Sequence, residues 1–330
     1  MSGYWEFYEE TARAVSFDAT GRVTHKFAGV KPVSLPGKIR DERWTDGVEE
    51  GVWHWLYQWH YLRERRKVTD WREGLTMREL EDPEFVARLS EANRSAGVLD
   101  GGWRVVSIGP EEYLCEKSGL QLRVSALSLQ PDCQHRENEV VAIRFPAERR
   151  HWMPLYYCTG GGIAAEVELR VYFNVKPASA AWLLRTLSEE LHESVAGYQL
   201  KLLNHPRSYT RPDAAVLYVP GSEARVCRAI VDRLMASGTQ AFRGAIPALT
   251  RGIYPGVAVA DEPAAVRGRA ASFGEHRCRI VARGLARAHA GGCGSVTEAV
   301  DAICGEFKLN NIDPAQPYAG APGRSAAAKF

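Results

Sequence analysis

Residues 167–177, VELRVYFNVKP, put Val167, Leu169, Val171, Phe173 and Val175 on one side of a period-two ribbon and Glu168, Arg170, Tyr172, Asn174 and Lys176 on the other. That alternation fits a strand with one buried face, because a helix would scatter the same side chains around its circumference. The chain then switches to helical spacing, with Ala180, Leu184, Leu187, Leu191 and Val195 recurring and Gly197 placed to end the helix. YQLKLL at 198–203 returns to period two, with Tyr198, Leu200 and Leu202 opposite Lys201. AAVLYV at 214–219 predicts a third strand, and SEARVCRAIVDRLMA at 222–236 a helix with Val226, Ile230 and Leu234 inward. The order βαββα predicts an α+β (mixed α/β) layer: a central, mostly antiparallel or mixed sheet with helices packed on one face. The polar face, carrying Arg170, Tyr172 and Lys201, is then free to build a site.

The flanking regions divide the chain into 1–150, an N-terminal α+β region, 151–312, the domain that holds the site, and 313–330, a flexible tail. VSFDATGRVTHKF predicts a hairpin around Asp18 to Gly21, and DGVEEGVWHWLYQWHYLRERRK a helix ending in a basic turn. Trp53, Trp55 and Trp59, with His54 and His60, recur at helical spacing and read as a packing surface. DPEFVARLSEANR is a second amphipathic helix, and GWRVVSIGPEEYLCEKSGLQLRVS reads as three strands joined by turns. IPALTRGIYPGVAVADEP reads as loop, and SFGEHRCRIVARGLARA as a helix whose first turn is a natural anion seat. PAQPYAGAPGRSAAAKF shows no periodicity.

Several function classes are disfavoured. With 42 basic against 40 acidic residues, the formal charge of +2 is too small for a nucleic-acid coat, so any anion recognition must be local. The seven cysteines are odd in number and contain no CxxC, as expected for reduced thiols in the cytoplasm. Neither a signal-peptide pattern at the start nor an apolar run of membrane-spanning length is seen, so no membrane association is expected. TGGG at 159–162 lacks the spacing of a dinucleotide loop, and HRENE at 135–139 has no companion kinase motifs. No His, Cys or carboxylate spacing suits a metal, so neither metal nor cofactor is expected.

Cations and hydroxyls concentrate instead in about a hundred residues: Arg170, Tyr172, Asn174, Lys176, Lys201, His205, Arg211 and Tyr218, then His276 and Arg277. Like charge and desolvation favour the neutral form of an amine placed as Lys201 is, and a neutral amine can take a proton. A Lys base with Arg residues to hold phosphate suits β-elimination from phosphoserine or phosphothreonine, which needs neither nucleophile nor metal. The bland alternatives are Lys201 guarding an edge strand, Arg211 paired with Asp213 at the surface, and Ser272 merely capping a helix.

RVYFN at 170–174, LK at 200–201, YTRPDAAVLYV at 209–219, GVAVADEP at 256–263 and SFGEHR at 272–277 occur in an order that resembles the Hop-type plant-pathogen effector family. In actinobacteria, members of that family serve as the lyase half of split kinase/lyase dehydratases for class V lanthipeptides and thioamide peptides (thioamitides). The family is in turn similar to the phosphothreonine lyases. The resemblance implies a phosphothreonine-lyase-like catalytic domain with Lys201 as base, Arg211 and Arg277 as phosphate ligands and Arg170 as a further anion contact. Asn174, Lys176 and Tyr218 complete the candidate phosphate-binding set. The phosphothreonine lyases carry Lys-x-His where this chain has Arg170-Val171-Tyr172, which leaves Tyr172, His205 and His276 as candidates for the acid. The implied partners are a separate kinase, docked by the aromatic N-terminal region, and a phosphorylated precursor peptide. Alternatives are a non-catalytic phosphopeptide-binding or kinase-scaffolding protein and, more weakly, single-stranded nucleic-acid binding.

Overall fold

The computed structural model describes residues 3–26, 39, 41–63, 76, 79–151, 153–265, 271–320, 323 and 325–330. The chain opens with α1 (Gly3–Ala14) and the hairpin β1 (Val15–Phe17) and β2 (Val23–His25), closed by the Gly21 N–H on the Asp18 carbonyl at 2.9 Å. Next comes α2 (Glu42–Leu56), which loosens into a π-turn at Tyr57–Tyr61, where the Leu62 N–H reaches the Tyr57 carbonyl. The expected basic end of this helix, residues 64–67, lies outside the described residues. After α3 (Pro83–Ala92) follow β3 (Gly97–Ile108), β4 (Glu112–Lys117), β5 (Leu120–Ser125), β6 (Leu129–Gln130), β7 (Val140–Phe145), β8 (Tyr156–Ile163) and β9 (Leu169–Phe173). Then come α4 (Ala180–Ser194), β10 (Gly197–Leu203), β11 (Ala215–Val219) and α5 (Ala224–Gly238), the βαββα unit read from the sequence. The hairpin β12 (Arg251–Tyr254) and β13 (Val257–Asp261), α6 (Phe273–Ala290), α7 (Val296–Leu309) and the short α8 (Ala326–Lys329) complete the fold.

All strands from β3 to β13 join one mixed sheet of 11 strands, whose main path runs β12-β13-β9-β11-β10-β8-β3-β4-β5. Its pairs are antiparallel except β3 with β8. Because β3 and β8 pair directly, the sheet runs unbroken across residue 150, where the sequence suggested a domain boundary. The mixed α/β class is as expected, and the helical cover extends further than the sequence suggested. On one face α3, α4, α5 and α8 pack Phe85, Leu184, Leu187, Ile230 and Ala327 against Leu169, Val171, Phe173 and Leu200. Cys227 points inward on α5, whereas Val226, expected to do so, is exposed. The opposite face was expected to stay open. It is covered by α1, α2, α6 and α7, which pack Val52, Leu56, Phe273 and Ile280 against Tyr172, Val216 and Ala260. Every residue of β9 is therefore buried, including Arg170 and Tyr172.

Two further expectations are corrected. The loop at 246–263 contains β13, which lies between β12 and β9 and is buried at every position. The signal was present in a Pro255-Gly256 turn between two short runs, but small side chains on both faces erase the alternation. The tail is packed, with Ala326, Ala327 and Phe330 buried. The Asp261 carboxylate accepts from the amides of Gly320 and Ala327, each at 2.7 Å. A few apolar contacts and backbone bonds hold this segment, which is why it shows no amphipathic period. Deleting residues 326–330 removes the buried Phe330 ring and is expected to cost about 3 kcal/mol or more, read as a fall in the denaturant midpoint.

Candidate active site

The sheet builds the floor of the site in two rungs. Lys201 on β10 lies opposite Cys158 of β8 and Val216 of β11, and Val216 lies opposite Tyr172 of β9. One rung along, Gln199 faces Gly160 and Tyr218, and Tyr218 faces Arg170. Lys201 and Tyr172 therefore stand two strands apart, about 10 Å between their Cα atoms at ordinary strand spacing. Above them lies a cavity of about 410 Å³ roofed by α2, the π-turn and the first turn of α6.

The roof is set by packing. Tyr57 and Tyr61 stack at 5.1 Å, and a Cβ on Gly274 would come within 2.4 Å of Tyr61 and 2.5 Å of Tyr57. Glycine in SFGEHR thus admits the two phenol rings onto the helix. Ser272 caps α6 by accepting from the Glu275 N–H. Arg279 on α6 bonds Glu49 at 2.8 Å and Glu50 at 2.7 Å, and Arg283 bonds Asp46 at 2.7 Å, which fastens α2 across the sheet. Of the aromatics of α2 and the π-turn, Trp44 and Trp55 are core, while Trp53, His54 and Tyr57 line the cavity.

Five of the ten candidate residues come together in this cavity: Arg170, Tyr172, Lys201, Arg211 and Tyr218. Lys201 Nζ lies 4.5 Å from the Tyr156 ring centroid and 5.3 Å from that of Tyr218. Among the described lining residues it is the one Lys or Arg without a carboxylate partner. Arg211 makes a bidentate pair with Asp213, at 2.8 and 2.7 Å, and donates to the hydroxyls of Tyr57 and Tyr156 at 3.1 and 3.2 Å. This is a buried pair, not the surface bridge the sequence left open. Burial opposes the charge on Asp213, yet Arg211 holds its carboxyl below the usual carboxylate range. Arg170 is similarly engaged with Glu262 and lies over the Tyr218 ring at 5.2 Å. Burial raises the Tyr172 phenol, while the charge of Arg170 draws it back.

The other five candidates lie outside the cavity lining. Asn174 donates to the Ala245 carbonyl at 2.8 Å and Lys176 to the Gln240 carbonyl at 2.7 Å. His205 accepts from the Arg207 N–H and caps a short turn. Arg277, proposed as a phosphate ligand, is spent on the Pro317 and Ala319 carbonyls at 2.6 and 2.9 Å and on His276 Nδ1 at 2.8 Å. It anchors the C-terminal segment, and sequence order alone could not reveal that. Tyr57, Tyr61, Tyr156 and Asp213 were missed. The spacing of Tyr57 and Tyr61 and the Arg-x-Asp at 211–213 were visible, but their inward direction was not. Among the described residues no cluster of three or more His, Cys, Asp or Glu could hold a metal, and no helix is long and apolar enough to cross a membrane.

Burial, then the nearby Arg277 and Arg170, pushes His276 down to about 3, and burial pushes His25 to about 4. Both stay neutral in the fold while the unfolded chain binds protons below about pH 6.5. Stability is therefore fully present above that value and falls as pH drops through 6.5 towards 4, at up to about 1.4 kcal/mol per pH unit for each group. Denaturant midpoints at pH 7 and pH 4.5 measure this. A His276→Asn variant with an undiminished pH slope would count against the assignment.

Residues 157–319 match the HopA1 effector protein family. The HopA1 match takes in the sheet floor, α6 and the anchored segment, whereas the α2 and π-turn roof lies before it. Among solved structures, an effector protein from Pseudomonas syringae pv. tomato strain DC3000 is similar with a TM-score of 0.44 at 12% identity, over 83% of this chain and 99% of that one. An effector protein from Pseudomonas syringae pv. syringae strain 61 gives 0.37 at 17% identity, over 50% of this chain and 63% of that one. No curated protein matches the chain.

Proposed function

We propose that this protein is a lyase that eliminates phosphate from phosphoserine or phosphothreonine in a ribosomal precursor peptide, leaving dehydroalanine or dehydrobutyrine. The observation that carries the reading is Lys201, an amine without a carboxylate partner among the described residues, set over two phenol rings in an aromatic-walled cleft. Lys201 takes the Cα proton. Arg211, already oriented by Asp213, contributes donors from a fixed frame, and such preorganised donors stabilise developing charge without rearranging. Tyr172 is the one of the three acid candidates that lines the cavity. The chemistry requires no metal and no oxidant, and the seven cysteines are free, in keeping with a reducing cytoplasm. A separate kinase would supply the phosphopeptide, as in the pathways the sequence resembles. The test is incubation of the purified chain with a phosphorylated peptide, in chelator and without ATP. Loss of the elements of phosphoric acid is expected. Binding without that loss favours a second reading, a non-catalytic phosphopeptide binder, for which basic side chains in an aromatic cavity would also serve.

A further inference from the structure

A smaller cavity of about 190 Å³ adjoins the main one and shares Met153, Lys201 and Tyr218 with it. Arg149, Cys158, Gln199 and Leu200 complete its lining. The charge balance of the two spaces differs. The main cavity is lined by Arg170, Arg211 and Lys201 together with the carboxylates of Asp213 and Glu275. The small lobe has a guanidinium, an amine, an amide, a phenol and a thiol, and no carboxylate in its described lining. Burial keeps the Cys158 thiol up, so it adds no negative charge. The Arg149 guanidinium is held in place by its bond to the Thr159 carbonyl at 3.1 Å. Gly160 lies beside it: a Cβ there would sit 3.4 Å from Arg149 Nη2 and 2.6 Å from the Tyr198 carbonyl.

We infer that the small lobe is the phosphate seat, in which Arg149 holds the anion, Gln199 adds a donor, and Lys201, neutral until it takes the substrate proton, stands at the entrance. This rests on the lyase reading for the identity of the substrate, but the seat is defined by its own lining. The peptide lies in the main cavity with its phosphate directed past Tyr218 into the lobe. In the reaction the Cα–H bond breaks and its proton goes to Lys201 Nζ, while the freed electron pair forms the Cα=Cβ bond. The Cβ–O bond breaks with its pair retained on the phosphate oxygen, which takes a proton from the new ammonium. Lys201 stands at the junction, so the charge it gains is placed beside the departing anion. The lobe then holds inorganic phosphate, which is expected to act as a product inhibitor competing with the phosphopeptide.

The experiment is calorimetric titration of the full chain with inorganic phosphate, for the wild type, Arg149→Gln and Gln199→Glu. Gln199→Glu changes little but charge at an exposed strand position, so it remains informative if Arg149→Gln folds poorly. Loss of one charge-assisted phosphate contact, or insertion of a like charge, is expected to weaken phosphate about ten- to hundredfold. Wild-type affinity in both folded variants, or no phosphate binding by the wild type, overturns the seat. Elimination assays run in parallel separate the two ideas. Turnover with unchanged KM in both variants leaves the lyase and removes the seat, whereas Arg149-dependent phosphate binding without any elimination keeps the seat and removes the lyase.

Discussion

Replacing Lys201 with arginine is expected to keep a hydrogen-bond donor in the cavity and abolish elimination. Arginine offers donors but is not deprotonated in proteins, so it can hold an anion yet cannot serve as a base. Loss of general-base catalysis lowers kcat by about 10²–10⁴-fold, roughly 3–5 kcal/mol of transition-state stabilisation. Phosphopeptide affinity should not fall by more than about tenfold, because arginine still donates to the anion. Lys201→Ala should lose the same turnover and more of the binding. Single-turnover rates and titration calorimetry measure the two effects separately. A Lys201→Arg chain that eliminates at close to the parent rate would reduce Lys201 to a charge, and the base would have to be sought among the phenols that share its cavity.

Asp213→Ala is expected to be among the most destabilising single changes in the site. The carboxylate accepts two bonds from Arg211, at 2.8 and 2.7 Å, and one from the Tyr57 hydroxyl at 3.3 Å, and both partners of the ion pair are buried. Removing it strands a guanidinium out of water, which costs about 3–5 kcal/mol. Replacing the pair together, Arg211→Met with Asp213→Leu, should recover much of the stability while losing function, because the penalty lies in the unpaired charge. Denaturant midpoints of the single and double variants give the comparison. A loss below about 1 kcal/mol in the single variant would mean that water reaches the pair and screens it.

The local pattern was legible where one residue's direction follows from its neighbour's. Periods of two and 3.6 identified β9, α4, β10, β11 and α5, and the same alternation put Arg170, Tyr172 and Lys201 on the polar face. β13 was hidden because burial on both faces removes alternation, and the tail because it is held by Asp261 and backbone amides. The π-turn was hidden because its departure from α-geometry is enforced by packing: Tyr57 and Tyr61 must stack against Gly274, far along the chain.

By itself, then, the sequence determined which side chains the central strands present and that their chemistry is cationic and phenolic. Only the tertiary structure decided what each cation is free to do. Arg170 meets Glu262, 92 positions away, Arg277 turns to carbonyls some forty residues on, and Lys201 is left facing the cavity. A strand fixes the side of the sheet to which a residue points within two positions. Its electrostatic partner is chosen by whichever distant segment the fold brings within about 4 Å, and that distance is not written in any local spacing.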